Sequence, residues 1–230
     1  KLTSDNRYII SCSNKFITFD VVTSDLARQV YPKVQGLMIG LELSPDNKFA
    51  AAYTNNDQTI LLNTLISEFF IIDNPLTELE HVQGLCVLDT NLIIYGQYSW
   101  SIFDLKGNLK QKRHFKGKGQ IHEIKMLDNL ENYSMVSWTG DLENPEMVLE
   151  TFKEDVSAEP LKGHSVVALN QQQSRAFLCD TKGSNTVAAY GFEEGAWVKK
   201  RTFEENNQNI LMLEVSKNEK WCCATILNGF

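Results

Sequence analysis

Leu43-Ser44-Pro45-Asp46-Asn47-Lys48-Phe49-Ala50 joins a polar turn to the opening of an apolar strand. The phrase is repeated at Ser4-Asp5-Asn6-Arg7-Tyr8-Ile9-Ile10-Ser11 and at Ser216-Lys217-Asn218-Glu219-Lys220-Trp221-Cys222-Cys223. Fainter copies occur at Asp89-Thr90-Asn91-Leu92-Ile93-Ile94, Leu130-Glu131-Asn132-Tyr133-Ser134-Met135 and Gln173-Ser174-Arg175-Ala176-Phe177-Leu178. Recurrence about every 40 to 45 residues marks one supersecondary unit used many times.

After each turn comes an apolar strand, a short polar turn, and a second apolar strand closing on an aromatic or aliphatic residue plus a polar one. Those closures are Phe19-Asp20, Leu62-Asn63 and Phe103-Asp104, spaced by 43 and 41 residues, and they loosen to Leu149-Glu150 and Tyr190-Gly191. A third, more polar strand is predicted at 26–31, 68–73, 109–115 and 196–203, and a fourth opens the next unit at 36–43, 82–88, 121–127, 165–169 and 210–215. Four short strands with turns between them make an antiparallel meander. Runs such as Phe49 to Tyr53 are apolar throughout, which suits a sheet covered on both faces. Charge on the third strand (Arg28, Lys110, Lys112, Arg113, Lys199, Lys200) would keep an outer edge from pairing with other chains.

The fold class this predicts is all-β, a β-propeller of four-stranded antiparallel blades. Blade-like units run approximately 1–33, 34–75, 82–116, 121–164, 165–205 and 210–230. The partial units at both ends predict either a piece of a larger ring, of roughly seven blades, or terminal strands that meet and close a smaller one. Helical periodicity is lacking; Asn74 to Glu80 could form one turn, and Asn144-Pro145 marks a surface loop.

The same residues carry a resemblance. Leu43 to Ala50 resembles the strand-turn-strand phrase of WD40 repeats, and Asp57-Gln58-Thr59-Ile60-Leu61-Leu62-Asn63 stands where that family's Trp-Asp phrase falls. Phe19-Asp20 and Phe103-Asp104 are similar to the dipeptide with Phe for Trp, and Gly163-His164 matches the family's Gly-His position. The chain departs from the pattern in having no Trp-Asp dipeptide. The family's His–Asp network is therefore not implied for each blade; His164 alone stands where it would begin, without an acidic partner at Tyr190-Gly191. The first two units are similar to the C-terminal WD-repeat region of NACHT- and WD-repeat-containing proteins, large intracellular signal-transducing NTPases. That resemblance implies a sensor or regulatory propeller, with nucleotide bound only by a domain outside this chain.

Composition narrows the function. A net charge of −7 with pI near 5.2 argues against nucleic acid as a partner, whose footprint would be basic. No uncharged apolar run reaches the roughly 18 residues of a membrane helix, so membrane insertion is not expected. Cys12, Cys86, Cys179, Cys222 and Cys223 lack zinc-ligand spacing and read as free thiols packed as small hydrophobes. Free thiols fit a reducing compartment, which predicts a cytoplasmic location.

Chemistry is sparse. Neither a nucleophile elbow nor a phosphate-cradling loop occurs, and Gly117-Lys118-Gly119 is too short to replace one. On a strand, His122 and Glu123 would point to opposite faces and could not converge. His81 reads as a solvated loop residue, and Asp141, Glu143, Glu146, Glu150, Glu154 and Asp155 as an acidic face without calcium-loop spacing. No catalytic, cofactor-binding or metal-binding residue is predicted. The strong asymmetry is the basic run Lys106, Lys110, Lys112, Arg113, His114, Lys116 and Lys118. It reads either as edge protection or as a dock for an acidic partner segment. Tyr98 and Trp100, flanking a nearby turn, are the aromatic candidates for the same surface, with Trp138 and Trp197 as further ones. The expected partners are therefore other proteins, and the expected function is a non-catalytic interaction scaffold. A structural propeller of a vesicle-coat or transport complex is the alternative. An enzyme with a site at the channel mouth ranks below both.

Overall fold

The computed structural model describes residues 1–73, 75–76, 80–116, 119–126, 130, 132–138, 147–153, 156–157, 159–170, 174–180, 186–204, 210–215 and 222–226. All their regular structure is β-strand, in two compact units, Lys1–Lys116 and Gly117–Phe230. Among the described residues no helix is long and apolar enough to cross a membrane. The possible helical turn at 74–80 and the loop at Asn144-Pro145 lie wholly or largely outside the described residues.

The first unit holds three antiparallel sheets. One is three-stranded, β1 (Tyr8–Cys12), β2 (Phe16–Asp20) and β3 (Asp25–Val30). The next is four-stranded, β4 (Met38–Leu43), β5 (Phe49–Thr54), β6 (Gln58–Asn63) and β7 (Phe69–Asp73), and so is the last, β8 (Gly84–Val87), β9 (Asn91–Tyr95), β10 (Ser99–Asp104) and β11 (Leu109–His114). In each the strands follow chain order, so every connection is a local turn.

Continuous apolar strands have a direct cause here. In the middle sheet Ala50, Ala52, Ile60 and Leu62 pack with Ile10, Phe16 and Val30 of the first sheet. Ala51, Leu61 and Ile72 point the other way and join Leu85, Leu92, Ile94 and Phe103 of the third. Alternate residues thus bury on opposite faces, and each face has a neighbour. The three alanines at 50–52 are wholly buried and let the sheets approach.

The repeated turn phrase folds the same way twice. Asn6 and Asn47 both take a left-handed φ, near 60°, and their amides donate to the carbonyls of Thr3 and Ser44. Thr3 and Ser44 hydroxyls donate to Asp5 and Asp46, whose carboxylates also accept the amides of Arg7 and Lys48. The copies also touch. Ser4 N donates to Asn47 Oδ1 at 3.0 Å and Asp46 N to Asp89 Oδ1 at 3.2 Å, both across 43 residues. The closing dipeptides have a shared job as well. Asp20, Asn63 and Asp104 each accept two backbone amides of the following turn: Val22 and Thr23, Leu65 and Ile66, Lys106 and Asn108.

An outer strand in this unit departs from expectation. The third strand of the second sheet was to be polar, but β7 reads Phe-Phe-Ile-Ile-Asp, and Phe69, Phe70 and Ile71 are 36–38% exposed. β3 and β11 do carry charge, through Asp25 and Arg28 and through Lys110, Lys112 and Arg113.

In the second unit one eight-stranded sheet contains β12 (Gln120–Met126), β13 (Tyr133–Trp138), β14 (Met147–Lys153), β15 (Val156–Ser157), β16 (Leu161–Leu169), β17 (Arg175–Asp180), β18 (Thr186–Glu193) and β19 (Ala196–Glu204). β20 (Ile210–Val215) and β21 (Cys222–Ile226) form a two-stranded sheet. The long β16 crosses residues 164 and 165 without a break. Its first part pairs with β14 and its second with β17, and the register shifts between His164 and Val166. One strand thereby serves as the end of one meander and the start of another. Val136, Leu149, Leu169, Leu178 and Trp197 form a core in this unit.

Candidate partner-binding surface

β11 owes its exposure to its place. It ends the order β8-β9-β10-β11, pairing with β10 alone among the described residues. An outer strand has no sheet beyond it to bury its side chains, so Lys110, Gln111, Lys112 and His114 are all exposed and Arg113 is half-buried. Alternation puts Lys112 and His114 on one face, while Lys110 is the extra residue where the register shifts between Ile102 and Phe103. Lys110 Nζ donates to Asn91 Oδ1 at 2.8 Å and Lys112 Nζ to the Leu76 carbonyl at 3.3 Å. Both acceptors are neutral oxygens, and each ammonium keeps further donors. Among the described residues neither lysine forms an ion pair.

Tyr98 belongs to the same end of the sheet. The Phe115 amide donates to the Tyr98 carbonyl at 2.7 Å, and Ser99 lies opposite His114. The turn is held from below by Glu80, which accepts the Tyr98 and Ser99 amides and the Ser99 hydroxyl. Tyr98 is 47% exposed. Trp100 corrects the sequence reading. It stands opposite Arg113 in the β10–β11 register but is only 4% exposed, so it packs inside the sheet rather than presenting a ring to a partner. β10 lies one strand further in than β11, which is enough to bury it. Lys106 and Lys116 are exposed at either end of the strand, and Lys118 lies outside the described residues.

The other candidates separate cleanly. Trp197 is buried, and its indole donates to Thr151 Oγ1 at 3.1 Å, beside the Ser134–Thr151 hydroxyl pair. Trp138 is half-buried at the end of β13. His122 is exposed where a register shift interrupts β12, while Glu123 pairs with Lys125 at 3.5 Å. Of the acidic group only Glu150 lies among the described residues. Among those residues no three His, Cys, Asp or Glu side chains are grouped to hold a metal ion. His164 is part of β16, opposite Met147 and Asp180 in register.

Sequence reasoning missed a loop pairing. His81 is exposed, as expected, yet its Nδ1 lies 2.7 Å from Asp57 Oδ2, while Asp57 Oδ1 accepts the Val82 amide. Asp57 sits in the β5–β6 turn with φ near 60°, so the pair ties that turn to the connection entering β8. Asp57 at the head of its phrase was the signal; its partner 24 residues on was not.

The thiols divide by burial. Cys179 is buried, which pushes its pKa up to about 11, with Cys222 nearby adding to the rise. Cys12 and Cys86 are half-buried. Cys222 and Cys223 are exposed, against the expectation of packed thiols, because β21 pairs with β20 alone among the described residues.

Antiparallel sheets of chain-ordered strands packed face to face, with small residues between them, are those of an all-β, β-propeller fold. Solved structures share that fold. The β-propeller domain of Cps50 (Swd1) from Myceliophteria thermophila matches with a TM-score of 0.71 at 12% identity, over 98% of this chain and 79% of that one. KlAtg21, solved in complex with the coiled coil of AgAtg16, matches with a TM-score of 0.68 at 10% identity, over 98% and 76%. No family model and no curated protein matches the sequence. At such identities the likeness carries the fold and not the activity.

Proposed function

We propose that this propeller is a non-catalytic scaffold that binds other proteins, and that β11 receives an acidic segment of a partner. The observation that carries the reading is the exposed basic outer strand, with Lys110, Lys112 and His114 all open to solvent and Tyr98 at its end. An acidic segment laid along it gains charge-assisted hydrogen bonds from ammonium donors that neutral oxygens now hold only in part. Arg113, backed by Trp100, adds a planar donor fork at the strand's other face. KlAtg21 in its complex also holds a protein partner. The similarity of the first two units to NACHT- and WD-repeat-containing proteins supports a specific setting, a regulatory propeller of a cytoplasmic signalling NTPase. In that setting any nucleotide binds outside this chain.

Proximity labelling with the full-length protein tests the reading. Reversing charge by Lys110→Glu, Lys112→Glu and Arg113→Glu should remove acidic partners, and the wild-type contacts should weaken as salt rises. An unchanged partner set would remove β11 from the function.

A further inference from the structure

We infer that β7 is a second docking edge, one that takes an added strand from a partner whose apolar centre is flanked by Lys or Arg. β7 is the outer strand of its sheet, paired with β6 alone among the described residues. Outer strands in globular proteins usually carry charge, because an uncharged edge is a template for further pairing. Here β3, β11 and β19 follow that rule, the last through Lys199, Lys200 and Arg201. β7 breaks it with four consecutive apolar residues, Phe69 to Ile72. The turn before it adds Leu65 and Ile66, 62% and 59% exposed.

The backbone is set for strand addition. Asn63 N donates to the Glu68 carbonyl, and the β6–β7 register runs without a shift from Leu62↔Phe69 to Gln58↔Asp73. In an antiparallel ladder bonded and non-bonded pairs alternate. Phe70 and Ile72 therefore spend their backbone groups on β6, while Phe69 and Ile71 aim theirs outward. A new strand would find donors and acceptors there, with the Phe69 and Ile71 side chains on one face and Phe70 on the other.

Charge chooses the occupant. The apolar run lies between exposed Glu68 and Asp73. A second copy of this chain is a poor fit. The outward groups can bond in a self-pair with Ile71 opposite Ile71 or with Phe70 opposite Phe70. In either register each end brings Glu68 of one copy within one residue of the other copy's Asp73. Their side chains point to opposite faces, so Asp73 falls opposite Phe69 in the first register and Glu68 opposite Ile72 in the second. That sets a carboxylate against an apolar side chain, while both copies add negative charge at each end. A segment with Lys or Arg at its ends reverses the sign of both interactions. This edge and β11 thus ask for partners of opposite charge, and the second does not depend on the first.

Selection of random octapeptides displayed on phage, against the immobilised chain, tests the inference. The enriched peptides should carry an apolar centre between basic residues. Ile71→Lys, which sets a charge in the middle of the edge, should weaken their binding about tenfold or more. Because that change could disturb packing, a second variant leaves the apolar run intact. Glu68→Lys with Asp73→Lys, both at exposed positions, should turn the selected flanks from basic to acidic. The inference is overturned if no peptide is enriched, if the selected flanks ignore the charge swap, or if Ile71→Lys leaves binding unchanged. A wild-type chain that forms dimers abolished by Ile71→Lys would equally overturn it, by making a second copy the occupant.

Discussion

Thr151 shows how much one hydroxyl can hold. It is buried in β14 and accepts from the Trp197 indole while sharing a hydrogen bond with Ser134 of β13. Three strands are therefore fixed through one oxygen. Thr151→Val keeps the shape but leaves the indole N–H and the Ser134 hydroxyl without it. Taking the acceptor from the buried indole N–H in this way should cost about 1 to 3 kcal/mol, read by urea unfolding. Thr151→Ser, which keeps the oxygen, should recover most of the loss. Nothing in the sequence tied Thr151 to Trp197, 46 residues apart.

Among the elements, the opening strands of two sheets share a device the repeat phrase does not include. Gly40 stands opposite Tyr53, and Gly84 opposite Tyr95. A Cβ at Gly40 would lie 2.0 Å from the Tyr53 ring, and one at Gly84 2.2 Å from the Tyr95 hydroxyl. Each tyrosine thus lies across the bare backbone of its neighbour strand, which covers a glycine that packs poorly by itself. Gly84→Val should push the ring out and destabilise the protein by about 1 to 3 kcal/mol, seen as a lower midpoint in thermal melting. Gly107→Ala offers a contrast. Its nearest contact is 3.5 Å, and the strain there would come from its φ of 83°. The outer strands also teach a limit of pattern reading. The period locates β7, yet four apolar residues from Phe69 to Ile72 set it apart from the polar outer strand that the pattern predicts.

Across the molecule the turn carboxylates act together on stability. Asp104 is held below the usual carboxylate range by the Asn108 side chain and then by backbone amides. Asp5 is lowered first by the Thr3 hydroxyl. In Asp20 and Asp46 burial pushes upward, but the turn amides, with Arg7 and Lys48 beside them, outweigh it and leave both lowered. A carboxylate lowered in the folded state stabilises fully above its unfolded value. That stability is lost as pH falls through the folded value. The melting temperature should therefore hold across mildly acidic pH and fall below about pH 4, the ordinary carboxylate range. Cys179 acts at the other end, with the opposite sign. Its thiol is raised, so its contribution is complete below about pH 9 and disappears as pH climbs towards about 11. Melting curves across pH check both arms, and Cys179→Ala should flatten the alkaline one.

Turn chemistry and strand period are local properties, so the chain alone determined the repeating meander, the all-β class and the places of its turns. The phrases at Ser4 and Ser44 close their own turns with their own few residues. Which side chains face a neighbour is not local. Burial of Trp100 but not Tyr98, the Asp57–His81 link, the shared length of β16 and the outermost place of β7 among the described strands of its sheet depend on residues far apart in sequence. Only packing one sheet against the next decides those, because a strand's two faces are alike until something covers one of them.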